Sequence, residues 1–373
     1  MLSLNISSYS KPSGYQISEL AKPELSDPKD VIIKVHAASI NPIDVKKADG
    51  MLKLAIKDSF PYKLGYDCAG IVTEIGSDVT RFQVGDEVYT RLPEVSRGMC
   101  RPDDQIGATN IRLIGSCSEF ARCPEKYVAL KPPSLSFEDA ASIPLAAMTA
   151  LQALRKYKGD LAGRTVFVPA GLSGTGLFAC QLAKNVFHAG KVITTVSTSK
   201  VEKVNELLGE GTVDEIIDYT KSDPKQVIKS GSVDFLFDTV GSAMEYLCLM
   251  KPHSGRIVSV ATMPSGNQLQ ESSMNDLPNK QNIPIALRMA LNTFDCVRKL
   301  RAWRYGVEYS YMFLESSGQD LDELRNHVEE HRLRTVVGNT VELSDIEAVR
   351  SACQIVYSGK GGLGKVVVKV ASS

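Results

Sequence analysis

The sequence predicts an α/β protein: a β-rich domain of short strands, then a doubly wound parallel sheet with helices on both faces. Three observations carry that expectation. Residues 164–184 read as an apolar β-branched strand (Thr165–Val168), a turn holding Gly171, Gly174 and Gly176, and apolar residues at helical spacing (Leu177, Ala179, Cys180, Leu182, Ala183). Beyond this stretch, apolar strands at Lys191–Val196, 213–219, 233–239 and 255–262 alternate with helical segments, as in a parallel sheet covered on both sides. Before it, strands at 31–38, 65–76 and 82–89 are separated by glycines and prolines, as in an all-β or barrel-like unit.

A strand, glycine turn and helix in succession aim free backbone N–H groups and the positive end of the helix at the turn. That arrangement suits a phosphate or pyrophosphate, although ordinary strand-to-helix turns use glycine too. The next strand ends in Ser197-Thr198-Ser199-Lys200, where a fold selecting NAD carries an acid for the ribose hydroxyls. Hydroxyls and a lysine can instead hold the 2′-phosphate of NADP through charge-assisted hydrogen bonds. The same residues also read as a helix start, with Ser197 or Thr198 as N-cap and Lys200 solvated.

The chain has 373 residues, enough for two substantial cores. Its 43 basic and 43 acidic residues balance, so nothing suggests a nucleic-acid partner. No apolar run approaches the roughly 18 residues of a membrane span, and the N-terminus lacks an apolar core behind a basic start. The expectation is a cytoplasmic protein without a membrane partner. Eight cysteines without a C-x-x-C pair argue for reduced thiols rather than a zinc ribbon or disulfide framework.

Residues 140–154 form a small-residue helix pattern containing Thr149, which is ordinarily a packed residue bonded within its own turn. Asp238 reads as a strand-end turn residue. The aromatic stretch around Trp303, Tyr309, Tyr311 and Phe313 reads as core or subunit interface before pocket. Residues 321–333 form an amphipathic helix, and Gly364-Lys365-Val366-Val367 opens a closing strand.

Asn41-Pro42-Ile43-Asp44, Gly65-Tyr66-Asp67-x-Ala69-Gly70, Val84-Gly85-Asp86-x-Val88, Pro144-Leu145-x-x-x-Thr149-Ala150 and the glycine turn occur in this order. The set resembles the medium-chain dehydrogenase/reductase superfamily, and within it the zinc-independent quinone oxidoreductase and enoyl reductase branch, including fungal stand-alone enoyl reductases. The resemblance implies a GroES-like catalytic domain (1–141), a Rossmann NADPH-binding domain (142–295) and a C-terminal return to the catalytic domain (296–373). Against it, residues 99–115 look like an insertion, open to reading as a lid, a surface loop or a retained intron.

The activity implied is NADPH-dependent reduction of an activated C=C bond, an enone or enoyl thioester, in secondary metabolism. A quinone acceptor, or NADPH binding without catalysis, is the alternative. The implied pocket holds Lys46, Asn41, Tyr66 and Thr149, although Lys46 also reads as a solvated lysine beside Lys47. The implied cofactor contacts are Gly171, Ser173, Gly174, Thr175, Gly176, Ser197, Thr198, Lys200, Tyr219, Val240, Ser259, Gly364 and Lys365. Asn41, Tyr66 and Leu145 match the Cys, His and Cys that hold catalytic zinc in other members, so no metal is expected. The implied partners are a small-molecule substrate and, for a monomer or homodimer, a polyketide synthase.

Overall fold

A computed structural model describes residues 1–94, 115–272, 281–360 and 362–370. Apart from Gly115, the expected insertion at 99–115 lies outside the described residues.

The strand Asp30–Ile40 is the hub of the first domain's sheet. Its VIIKVHAASI run is buried along almost its whole length because both faces are covered, hence its near-continuous apolar character. It pairs antiparallel with Asp67–Ile75, Phe120–Pro124 and Lys365–Lys369. The sheet continues through Glu87–Arg91 to Val128–Leu130 on one side and ends at Val337–Glu342 on the other. Two register shifts bend the hub strand against its neighbour, the curvature that bulges impose on a closing sheet.

The second sheet has six parallel strands. In space they run Glu215–Asp218, Lys191–Val196, Thr165–Val168, Phe235–Asp238, Arg256–Ser259 and Glu308–Tyr311. Numbered along the chain this is the order 3-2-1-4-5-6. The order therefore reverses between Thr165–Val168 and Phe235–Asp238, and the crevice outside their carboxyl ends is where such sheets bind dinucleotides. Val166, Phe167, Val168, Phe235, Leu236 and Phe237 have no exposure, as expected of strands covered on both faces.

Three expectations change. The boundary at 295 cuts through one helix, Ile285–Arg304, and the sixth parallel strand follows it, so the nucleotide-binding sheet extends to Tyr311. The single helix expected over 140–154 is two, Phe137–Ala141 and Pro144–Leu154; Ser136 caps the first, and Pro144 opens the second where its missing N–H costs nothing. The aromatic stretch divides: Tyr309 is buried, whereas Trp303 is 73% exposed.

The glycine turn is tight. Ala170 takes a left-handed φ of 56°, and a Cβ on Gly176 would overlap the Ala170 carbonyl oxygen and lie 2.9 Å from Ser173 Oγ. Gly176→Ala should therefore destabilise the cofactor-free protein by about 1–3 kcal/mol, the usual cost of overpacking. Thermal unfolding followed by circular dichroism checks this: a midpoint several degrees lower is expected, and an unchanged one would show that the turn relaxes freely.

Candidate active site at the domain junction

The glycine turn is stitched to the far end of the chain. Ser173 forms a β-bridge with Gly364, whose N–H donates to the Leu172 carbonyl at 3.0 Å. Ser173 Oγ accepts from Gly176 N at 3.1 Å, which orders the turn into the helix Gly176–Gln181 beginning beside Thr175. A Cβ on Gly171 would overlap the Thr194 hydroxyl, and one on Gly174 would sit 2.9 Å from Lys365 Cδ. These close approaches leave backbone rather than side chain lining the crevice, the cradle a pyrophosphate requires, so these residues fit a dinucleotide.

At the crevice edge Asp238 spends one carboxylate oxygen on the N–H groups of Gly241 (2.8 Å) and Ser242 (3.1 Å) and the other on Ser259 Oγ (2.8 Å). It is a turn organiser that holds Val240 out at 52% exposure. At the ribose end, Lys200 Nζ donates to the Gly362 carbonyl, and Tyr219 is 57% exposed. The sequence concealed one feature here. Thr198 Oγ1 donates to Asp218 Oδ2 at 2.7 Å, because the parallel register sets Val196 against Asp218. An acid therefore does stand beside Thr198, one strand over, its carboxyl held below the usual range by the hydroxyls of Thr220 and Thr198.

On the catalytic side, Asn41 N-caps the helix Pro42–Ala48 and its own N–H donates to Asp44 Oδ2 at 2.6 Å. The Asn41 side chain is bonded at both ends: Nδ2 donates to Asp67 Oδ2 at 2.8 Å, and Oδ1 accepts from Lys365 Nζ. Lys365 Nζ is also 3.5 Å from Asp67 Oδ2, Ser39 Oγ donates to the same oxygen, and Leu145 N donates to Asp67 Oδ1 at 3.0 Å. Asp67 has no exposure, Asn41 2% and Lys365 3%. Burial raises the Asp67 carboxyl and lowers the Lys365 ammonium, each against the pull of the other. Lys365, grouped by sequence with the cofactor contacts, thus reaches from the glycine turn into the catalytic domain.

A second cluster lies on the same helix. Lys47 Nζ donates to Tyr66 Oη at 2.9 Å, Tyr66 Oη donates to Glu94 Oε2, and Arg91 Nη2 donates to Glu94 Oε1 at 2.7 Å. Burial pushes the Glu94 carboxyl up, but Lys47 and Arg91 more than offset this and hold it below the usual range. Tyr66 moves the other way: burial and the Glu94 charge raise its hydroxyl well above the ordinary value, so it stays a neutral donor. Lys46, expected in the pocket, is exposed. Asp44, Val45 and Ala48 are buried on one face; Lys46 points opposite, while Lys47 flanks that face and turns in. Thr149 is buried with its hydroxyl donated to the Leu145 carbonyl at 2.6 Å, within its own helical turn.

The matched zinc positions do not fit a metal. The Asn41 carboxamide is committed to Asp67 and Lys365, the Tyr66 hydroxyl to Lys47 and Glu94, and Leu145 is apolar. Among the described residues no three His, Cys, Asp or Glu side chains gather into a candidate metal site.

Residues 27–133 match the alcohol dehydrogenase GroES-like domain and residues 212–368 the domain described as zinc-binding dehydrogenase. The chain is 34% identical over 267 residues to the NADPH-dependent alkenal/one oxidoreductase, chloroplastic, of Arabidopsis thaliana; the match covers 71% of this chain and 64% of that one, just under two thirds of its length. It is 32% identical over 345 residues to the NAD(P)H oxidoreductase RTN4IP1, mitochondrial, of Bos taurus, covering 87% and 78%. The structure of the quinone oxidoreductase from Coxiella burnetii superposes with a TM-score of 0.77 at 28% identity over 100% of this chain and 99% of that one. With its reversed parallel sheet, glycine turn and catalytic-domain junction, the chain belongs to the medium-chain dehydrogenase/reductase superfamily, alongside these quinone and alkenal oxidoreductases.

Proposed function

We propose that the chain uses NADPH to reduce the C=C bond of an enone or enoyl thioester. The observation that carries this reading is the path from the glycine turn, bridged at Ser173 to Gly364, through the adjoining Lys365 to Asn41, with a second donor cluster at Lys47 and Tyr66 and no metal ligand set among the described residues. Bound in the crevice, NADPH supplies a hydride for the β-carbon of the substrate.

Reduction in that sense leaves negative charge on the substrate carbonyl oxygen, and without a metal N–H and O–H donors must meet it. Tyr66 is suited to this because it remains a neutral hydroxyl, with the Lys47 ammonium against its oxygen. By redirecting its proton from Glu94, Tyr66 can donate to the substrate, and Lys47 can restore that proton. Lys365 donates to Asn41 Oδ1 and so fixes the carboxamide with its Nδ2 toward Asp67. Thr149, bonded within its turn, shapes the wall. The Coxiella burnetii likeness favours a quinone as the alternative acceptor for the same donors. In this reading the chain works in the cytoplasm, as a monomer or homodimer serving a polyketide synthase.

Tyr66→Phe should lower kcat by roughly 100- to 1,000-fold with little change in NADPH affinity, the loss typical of one donor to a developing oxyanion. Lys47→Ala should act in the same direction, whereas Lys46→Ala should leave turnover near that of the parent. Steady-state kinetics with a simple enone checks all three, and an inactive Lys46 variant beside an active Lys47 variant would reverse the assignment.

Lys200→Ala should weaken NADPH roughly 10- to 150-fold, as loss of a charge-assisted hydrogen bond does, and leave NADH nearly unchanged. Swinging Lys200 onto the 2′-phosphate breaks a bond to a loop carbonyl. Fluorescence titration of both cofactors is the check; equal losses would make Lys200 a tether for the loop at Gly362.

A further inference from the structure

The helix Ile285–Arg304 touches the rest of the protein along one seam. Leu291, Asp295 and Ala302 are its buried positions, and Leu287 and Leu291 pack into a cluster with Leu52, Ile56 and Leu269. At 3.6 residues per turn, Ile285, Met289, Cys296, Leu300 and Trp303 recur together on the opposite side. There Ile285 is 76% exposed, Met289 64%, Leu300 49% and Trp303 73%, and Cys296 is exposed as well. Single exposed apolar residues are ordinary; a stripe sustained along a 20-residue helix marks a surface that is covered in use.

Charge indicates what covers it. The helix carries five basic residues, Arg288, Arg298, Lys299, Arg301 and Arg304, and a single acid, Asp295, which is buried in the seam and paired with Lys299 at 2.8 Å. Arg301 and Arg304 are exposed and have no carboxylate partner among the described residues. Two copies meeting along this stripe would bring basic rows together with no exposed acid on either helix to answer them. An anionic headgroup layer over an apolar interior answers both features, and Trp303 and Tyr305 at one end suit the headgroup level.

We propose that Ile285–Arg304 lies in the plane of an anionic lipid bilayer, its apolar stripe sunk into the interface and its arginines against the headgroups. It lies on the membrane rather than across it, since no described helix is long and apolar enough to span one. This departs from the expectation of no membrane partner and stands independently of the reduction proposed above. The start of the helix is tied to the catalytic domain, where Lys57 N donates to Gln281 Oε1 at 2.9 Å and Gln281 Nε2 returns a bond to the Lys57 carbonyl at 3.1 Å.

Trp303 is the only tryptophan in the chain, so emission from the full-length protein reports this surface alone. Vesicles of phosphatidylcholine containing phosphatidylserine should shift its emission to the blue and carry the protein down on centrifugation, and added salt should reverse both by screening. Replacing Arg301 and Arg304 together by Gln should weaken binding about five-fold per arginine. Leu300→Glu should abolish the shift, and NADPH affinity should be unchanged in both variants, which shows that they remain folded. Three results would overturn the proposal: no shift or sedimentation with phosphatidylserine vesicles, equal binding to pure phosphatidylcholine, or a blue shift without lipid that grows as the protein doubles in mass, which would make a second copy the cover.

Discussion

Asp67 carries a carboxylate with no exposure to water, and three distant parts of the chain converge to meet its charge. Asn41 comes from the start of one helix, Leu145 from the first turn of another and Lys365 from the closing strand. The bond from Leu145 is telling: Ile143, the N-cap of Pro144–Leu154, has no side chain able to cap, so Asp67 satisfies one of that helix's free N–H groups and gains from its positive end. Removing one partner of a buried pair typically costs about 3–5 kcal/mol because the other charge is stranded. The return of the chain to the catalytic domain is thus fixed by electrostatics as well as by pairing of Lys365–Lys369 with the hub strand.

The same lysine serves the crevice. Its backbone follows Gly364, which is bridged to the glycine turn, while its ammonium sits on Asn41. Nucleotide side and catalytic side therefore share one rigid element. Lys47 and Arg91 give Tyr66 and Glu94 a comparable setting, so each cluster pairs a buried carboxylate with fixed positive charge.

Much of this was legible in the sequence, and the limits have physical causes. The glycine turn and alternating strands led to the parallel sheet because local pattern and tertiary role agree there. Family motifs singled out Asn41 and Tyr66, and both are buried and bonded in the structure. That Lys47 and not Lys46 turns inward was not legible, because a one-residue phase on a seven-residue helix with two adjacent lysines has too little pattern to resolve. Glu94 and Asp218 could not be placed at all, since their bonds to Tyr66 and Thr198 span distant parts of the sequence. The boundary at 295 failed because Ile285–Arg304 is apolar on two sides, one packed and one open, which blurs the signal that separates a core helix from a linker.

The central claim is that hydride goes to carbon β to a carbonyl, with nearby donors stabilising the oxygen. NADPH carrying deuterium at C4 of the nicotinamide, incubated with the protein and an α,β-unsaturated ketone, tests this directly by mass spectrometry and NMR of the product. The account predicts a saturated ketone with the label on the β-carbon. An allylic alcohol labelled at the former carbonyl carbon would contradict it.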